Sequence, residues 1–283
     1  MNMGSRLPNF IAVGPPRTAT TWLHEILKAY IGLPSGVKET QYFLNNYSLG
    51  ISWYQSFFQR CSPDLPIGEI APTYFDQPEA RQRIKETIPD CKIVCTLRDP
   101  VARIYSQYKV WTSMGLIDGA FDYRLLHQYL GACGSYAFNI KAWIAMFGRD
   151  RVLVLCQEDL EADPQGFVNL ICAFIGCPTI DMRASRLRSR RVLRILRRPR
   201  NPKLALQARK FKDWAVRHKL GRVAHIFETD NLVFNLCFGG GQLFGPLEPA
   251  VESQLRSLLC PEIEELEVLL GRDLTHWKVS RHL

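Results

Sequence analysis

The stretch Asn9-Phe-Ile-Ala-Val-Gly14-Pro-Pro-Arg-Thr-Ala-Thr20-Thr-Trp-Leu-His-Glu-Ile-Leu-Lys-Ala-Tyr30 decides the fold. Its first six residues run almost wholly apolar into a glycine, the pattern of a short strand buried on both faces. Thr21–Tyr30 reads as a helix. Strand, tight loop and helix in that order open a nucleotide-binding α/β unit. A helix that starts there aims unpaired N–H groups and about half a positive charge out of the sheet, which suits phosphate or sulfate. Gly14 allows the sharp exit from the strand, and Thr20 and Thr21 offer both helix caps and hydroxyl donors. A kinase or GTPase loop counted from Gly14 would carry Gly-Lys-Ser/Thr where this chain has Ala19-Thr20-Thr21. The phosphate-reaching lysine is missing and the cation is Arg17 instead, which favours a different anion.

Working outward, further strands are expected at Ile67–Ala71, Lys92–Leu97 and Arg151–Cys156. Helices are expected at Gln77–Thr87, Pro100–Met114, Tyr136–Phe147, Asp163–Ile175, about 203–220 and Glu248–Leu270. Strands rich in Val and Ile alternating with helices predict a central parallel sheet of about five strands, flanked by helices on both faces. The 283 residues suffice for one such domain with a full core. No run of about 18 apolar residues suggests a membrane span and the start has no leader-like apolar stretch, so a cytoplasmic protein is expected.

Nine cysteines, several inside apolar runs and none in a CxxC or Cys/His cluster, read as reduced thiols with no metal site. The net charge of +9 is concentrated. Residues 183–222 hold 16 Lys and Arg against Asp213, a balance of +15 that leaves the rest of the chain at −6. This stretch reads as a basic helical insertion at about 181–230, either a solvated face or a surface for peripheral contact with an anionic membrane. A nucleic-acid or anionic-membrane binding protein is therefore one alternative to an enzyme, and a nucleotide kinase is another. The lack of aromatics among the arginines of 183–200 argues against stacking on single strands, and no nucleic-acid partner is expected.

A second motif is Leu97-Arg-Asp-Pro-Val-Ala-Arg-Ile-Tyr-Ser-Gln-Tyr108. Arg98 stands at a strand tip, where open α/β sheets hold their ligands, and Pro100 begins a helix. Ser106, near its second turn, is expected to join Arg98 in holding a dianionic phosphate.

Together, residues 14–23 and 97–108 resemble the two cofactor signatures of the sulfotransferases that use 3′-phosphoadenosine-5′-phosphosulfate (PAPS). Lys38-Glu-Thr-Gln-Tyr-Phe43, Asn46–Tyr54, Gly68-Glu-Ile-Ala-Pro-Thr-Tyr-Phe75, and Gly134-Ser-Tyr136 leading to Glu158-Asp-Leu160 are similar to the heparan sulfate branch and its bacterial relatives. The resemblance spans roughly residues 8–178. It implies a P-loop NTPase-like three-layer sandwich, a single sulfotransferase domain over 1–283, PAPS as sulfonyl donor with adenosine 3′,5′-bisphosphate (PAP) as product, and no metal. Pro16, Arg17, Thr18, Ala19, Thr20, Thr21 and Trp22 would hold the phosphosulfate, and Arg98, Ser106 and Tyr136 would complete the nucleotide site. Glu39 falls at the family's catalytic carboxylate, and Arg17 at a position where heparan-type enzymes carry a lysine. Leu33-Pro-Ser-Gly-Val37 is expected to bring a short strand to the sheet edge and aim Glu39 into the cleft. None of the six histidines occupies a place that suits a base.

Gln41, Glu69, Pro72 and Tyr74 resemble the block lining the acceptor side. Ile70 stands where heparan enzymes have a lysine, which weakens polysaccharide recognition and leaves the acceptor open as a carbohydrate or small molecule. Phe238-Gly-Gly-Gly-Gln-Leu-Phe244 is read as a Gly-rich lid at about 238–245, with Phe238 or Phe244 over the adenine; a plain linker fits equally well.

Overall fold

Four short apolar segments pair side by side in the computed structural model, which describes residues 6–122, 135–182, 196–217 and 231–280. They are β1 (Phe10–Gly14), β2 (Gly68–Ile70), β3 (Lys92–Leu97) and β4 (Val152–Cys156), all parallel in the order β2-β1-β3-β4. The expected fifth strand shrinks to one parallel bridge between Gly32 and Ile67. Pro34 lacks the N–H a ladder needs, and Gly36 turns away at φ 78°, so pairing stops there.

The chain divides into two compact units, each assembled from separate stretches. The first comprises residues 1–100, 132–192 and 259–276 and contains the parallel sheet. On one sheet face, α1 (Thr20–Leu27) contributes Trp22, Leu23, Ile26 and Leu27 to a core shared with Phe10, Ala12, Val94 and Leu155. α7 (Pro164–Ile175), which follows α6 (Gln157–Ala162), closes that core with Phe167, Val168 and Ile171. It starts where Asp163 accepts a 2.9 Å bond from Gly166 N with Pro164 in the first turn, and it ends at Gly176 with φ 79°. The other layer holds α3 (Pro78–Thr87) and α5 (Tyr136–Phe147). There the buried Arg81 bonds Asn139 and lies 5.0 Å over Trp143, whose indole N–H donates to Phe75 O.

The second unit comprises residues 101–131, 193–258 and 277–283. It takes nearly all of α4 (Pro100–Ser113), β5 (Arg197–Pro199), α8 (Pro202–Arg217), α9 (Asn231–Phe238), β6 (Gly240–Leu243) and the first part of α10 (Pro249–Leu270). β5 and β6 form an antiparallel pair, so Gly240 and Gly241, expected in a lid or linker, are strand residues. Phe238 is buried against Ala205 and Ala208 of α8, and Phe244 packs edge-on to Tyr108 beneath Arg198. Both rings, offered for an adenine, thus have packing partners within this unit. Residues 183–195 and 218–230 of the basic stretch, with Gly134 and Cys133, lie outside the described residues.

Candidate active site

β1 ends at Gly14 with φ 90°, and a Cβ there would sit 2.5 Å from Pro72 Cβ. Only glycine allows that close approach together with the turn. Two residues of the loop that follows, Arg17 and Ala19, take left-handed backbone at φ 74° and 64°. Non-glycine residues at positive φ cost energy and cluster at ligand sites. Alternating backbone hands also turn successive N–H groups to one side, which makes an anion-binding concavity. Ala19 occupies the N-cap of α1 with no side-chain hydrogen bond, so Thr20 and Thr21 are helical residues and not the caps expected. The helix start keeps its N–H groups for another acceptor.

The loop's side chains divide sharply. Thr18 is fully buried, donates to Pro15 O at 2.6 Å and lies 2.9 Å from the Thr96 hydroxyl on β3. Trp22 lies in the core, edge-on to Phe167. Both were expected among the ligand-holding residues; their side chains instead anchor the loop, leaving only backbone groups for a ligand. Pro16, Arg17 and Ala19 are half-buried and Thr21 is exposed, while Thr20 is buried. Burial first, and the like charge of Arg98 second, hold the Arg17 guanidinium below its ordinary value. Arg98 leaves β3 at the sheet's carboxyl end, and its carbonyl accepts a 3.0 Å bond from the buried Tyr136 hydroxyl. Ser106 lies on α4 within the second unit, half-buried.

Glu39 arrives from the segment after the Gly32 bridge. Its Oε2 accepts from Gln41 Nε2 at 2.9 Å, and the same amide contacts Thr73 Oγ1. Burial pushes its carboxyl up, Lys38 pulls it down, Glu69 raises it and the Gln41 bond lowers it; the net shift is upward. Glu69, expected on the acceptor side, is wholly buried. Its Oε1 accepts from Thr40 N at 2.8 Å and Thr40 Oγ1 at 2.6 Å, and its Oε2 accepts from Tyr54 OH at 2.8 Å. Pro72 and Tyr74 are buried as well. The correction has a physical reason: a carboxylate removed from water needs donors on both oxygens, and Thr40 and Tyr54 supply them. Gln41, with φ 54°, is the one member of this predicted group that is half-buried beside Glu39.

The Lys38 ammonium donates to Thr21 Oγ1 at 3.1 Å and also lies 3.9 Å from Glu39 Oε1, at the outer limit of an ion pair. Nothing in local spacing could have disclosed a contact formed across the α1–β2 connection. His24, on α1, lies 3.4 Å from Glu25. The described cysteines are free, with burial pushing the Cys91 and Cys95 thiols up. Among the described residues no His/Cys/Asp/Glu group could hold a metal, and no helix is long and apolar enough to cross a membrane.

A family model described as "Sulfotransferase domain" matches residues 7–206. A mouse bifunctional heparan sulfate N-deacetylase/N-sulfotransferase 4 is 29% identical over 195 residues, covering 60% of this chain and 22% of that protein. A human heparan sulfate glucosamine 3-O-sulfotransferase 6 is 29% identical over 182 residues, covering 60% of this chain and 53% of that protein. The chain thus spans about a fifth to a half of the length of these relatives. A crystal structure of a sulfotransferase from Alicyclobacillus acidocaldarius superposes over 97% of this chain and 100% of its own, with TM-score 0.68 at 22% identity, a likeness of fold.

Proposed function

The chain belongs to the sulfotransferase domain family, and we propose that it moves the sulfonyl group of PAPS onto a hydroxyl or amine, with Glu39 as general base. The observation that carries this reading is the pairing of an uncapped anion loop, where Arg17 faces the like charge of Arg98, with a carboxylate kept basic by burial. A half-buried guanidinium held down chiefly by burial, with a second arginine charge acting on it, fits an anionic nucleotide.

When bound, PAPS supplies an activated sulfonyl group: its S–O bond to the 5′-phosphate breaks as the acceptor O–S or N–S bond forms, and the bridging oxygen keeps the electron pair. Glu39 takes the acceptor proton, and its raised pKa strengthens it as a base at neutral pH. Arg17 offset charge on the bridging oxygen is the electrostatic half of the same device, and the backbone N–H groups at the start of α1 supply fixed dipoles. Arg98 holds nucleotide phosphate. Gln41 fixes the orientation of the Glu39 carboxylate and borders the acceptor, a carbohydrate or small molecule.

Calorimetric titration with PAP, beside ATP and AMP without metal, tests this reading. Tight binding that requires the 3′-phosphate is the expected result. A preference for Mg²⁺-ATP would overturn it in favour of a kinase.

A further inference from the structure

Lys38 is the cation that the sequence reading assigned to no part of the reaction. Three observations locate it. Its ammonium donates to Thr21 Oγ1 at 3.1 Å, in the first turn of α1, where no side chain caps the helix. It stands 3.9 Å from Glu39 Oε1, too far for a hydrogen bond, while the other Glu39 oxygen is held by Gln41. Its charge nonetheless acts on the carboxyl, pulling the Glu39 pKa down against burial. A lysine that served only as a surface partner of Glu39 would close on that carboxylate, since nothing in its long stem forbids it.

We propose that Lys38 is a catalytic cation that contacts the anionic oxygens of the transferred sulfonyl group. This rests on the sulfonyl-transfer reading above. In-line transfer sets sulfur between the leaving oxygen, at the loop, and the attacking oxygen, at the base. A side chain that touches Thr21 of the loop helix and flanks Glu39 stands beside that line. The Thr21 oxygen accepts from Lys38, so its hydroxyl proton is left to donate to the same group. Arg17 and Arg98 serve the two phosphates, whereas the sulfonyl group brings a further negative charge that needs its own partner. Lysine suits the task as a compact point charge on a flexible stem, able to follow the sulfur from donor to acceptor.

The test compares two nucleotides that differ by the sulfonyl group. Wild type, Lys38→Met and Lys38→Arg are titrated calorimetrically with PAP and with PAPS in the absence of acceptor. The slow release of inorganic sulfate from PAPS into water is followed as a function of pH. The expected result is PAP affinity within about twofold of wild type and PAPS affinity about tenfold weaker in Lys38→Met. Lys38→Arg should recover part of the PAPS affinity. The acid limb of sulfate release should move to higher pH in Lys38→Met, because the charge that lowers the Glu39 pKa is gone. Equal loss for both nucleotides would overturn the proposal by making Lys38 a phosphate ligand or a structural residue, and unchanged PAPS binding would reduce it to a surface ion pair. Wild-type protein that binds neither nucleotide would sink the sulfonyl-transfer reading itself, an outcome distinct from both.

Discussion

Two segments bring a glutamate to the same end of the sheet and use it in opposite ways. Lys38–Gln41 leaves Glu39 mostly but not wholly buried, with one oxygen held by Gln41 and a cation 3.9 Å away. Gly68–Tyr74 sinks Glu69 completely and fills both its oxygens with Thr40 and Tyr54. Because two of those bonds reach Thr40, the wholly buried carboxylate fixes the backbone that carries Glu39. The difference teaches that a charged residue in a family-like block can be scaffold as readily as chemistry. What separates the two is how many donors the fold commits to the carboxylate. A carboxylate that is wholly buried and holds three internal donors is out of reach of a substrate proton.

The largest expected effect falls on the first segment. Glu39→Gln should lower turnover by about 10²–10⁴-fold, the usual contribution of a general base. PAP affinity by calorimetry should stay near that of wild type, since no phosphate contact is removed. Near-normal turnover would place the base elsewhere and erase the distinction between the two glutamates.

Glu69 should break differently. Glu69→Ala strands the Thr40 and Tyr54 donors in the interior, and denaturant unfolding should show a loss of about 3 kcal/mol. Glu69→Gln keeps acceptor capacity at Thr40, and the Tyr54 hydroxyl can reverse its bond, so stability should fall much less. The charge change is then readable by itself. Glu69 raises the Glu39 pKa as a like charge, so its removal lowers that pKa. The base must be deprotonated to act, so the acid limb of the rate profile should move to lower pH in Glu69→Gln, opposite to Lys38→Met. An unmoved limb would mean that the two carboxylates are not coupled.

Much of this was legible in residues 9–30, because strand, loop and helix there are local events. The apolar run is β1, the helix read over Thr21–Tyr30 is α1, and the glycine exits the strand where only glycine fits. The helix start marked by Pro100 followed for the same reason. The inward turn of Thr18 was not legible, since its partner Thr96 lies 78 residues away on β3. Neither were the Tyr54–Glu69–Thr40 network and the Lys38–Thr21 contact, which need tertiary proximity that no spacing encodes. Gly240 and Gly241 misled in another way: glycine signals backbone freedom, but here it also admits the close approach of Arg198 O to Gly241 within a paired strand.

The smallest effect should come from the bond that joins the two segments. Gln41 Nε2 contacts both Glu39 Oε2 and Thr73 Oγ1, and Thr73 can return its proton to Gln41 Oε1 at 3.2 Å. Thr73→Val removes that anchor at nearly constant volume while leaving Glu39 and its charge environment in place. A half-buried neutral hydrogen bond of this kind contributes about 1 kcal/mol. Unfolding should therefore register a loss of about that size or less, and turnover should fall by under tenfold with the acid limb unmoved. A drop as large as that of Glu39→Gln would show that the Gly68–Tyr74 segment reaches the chemistry through Thr73, and the division between scaffold and base would have to be redrawn along the Gln41 side chain.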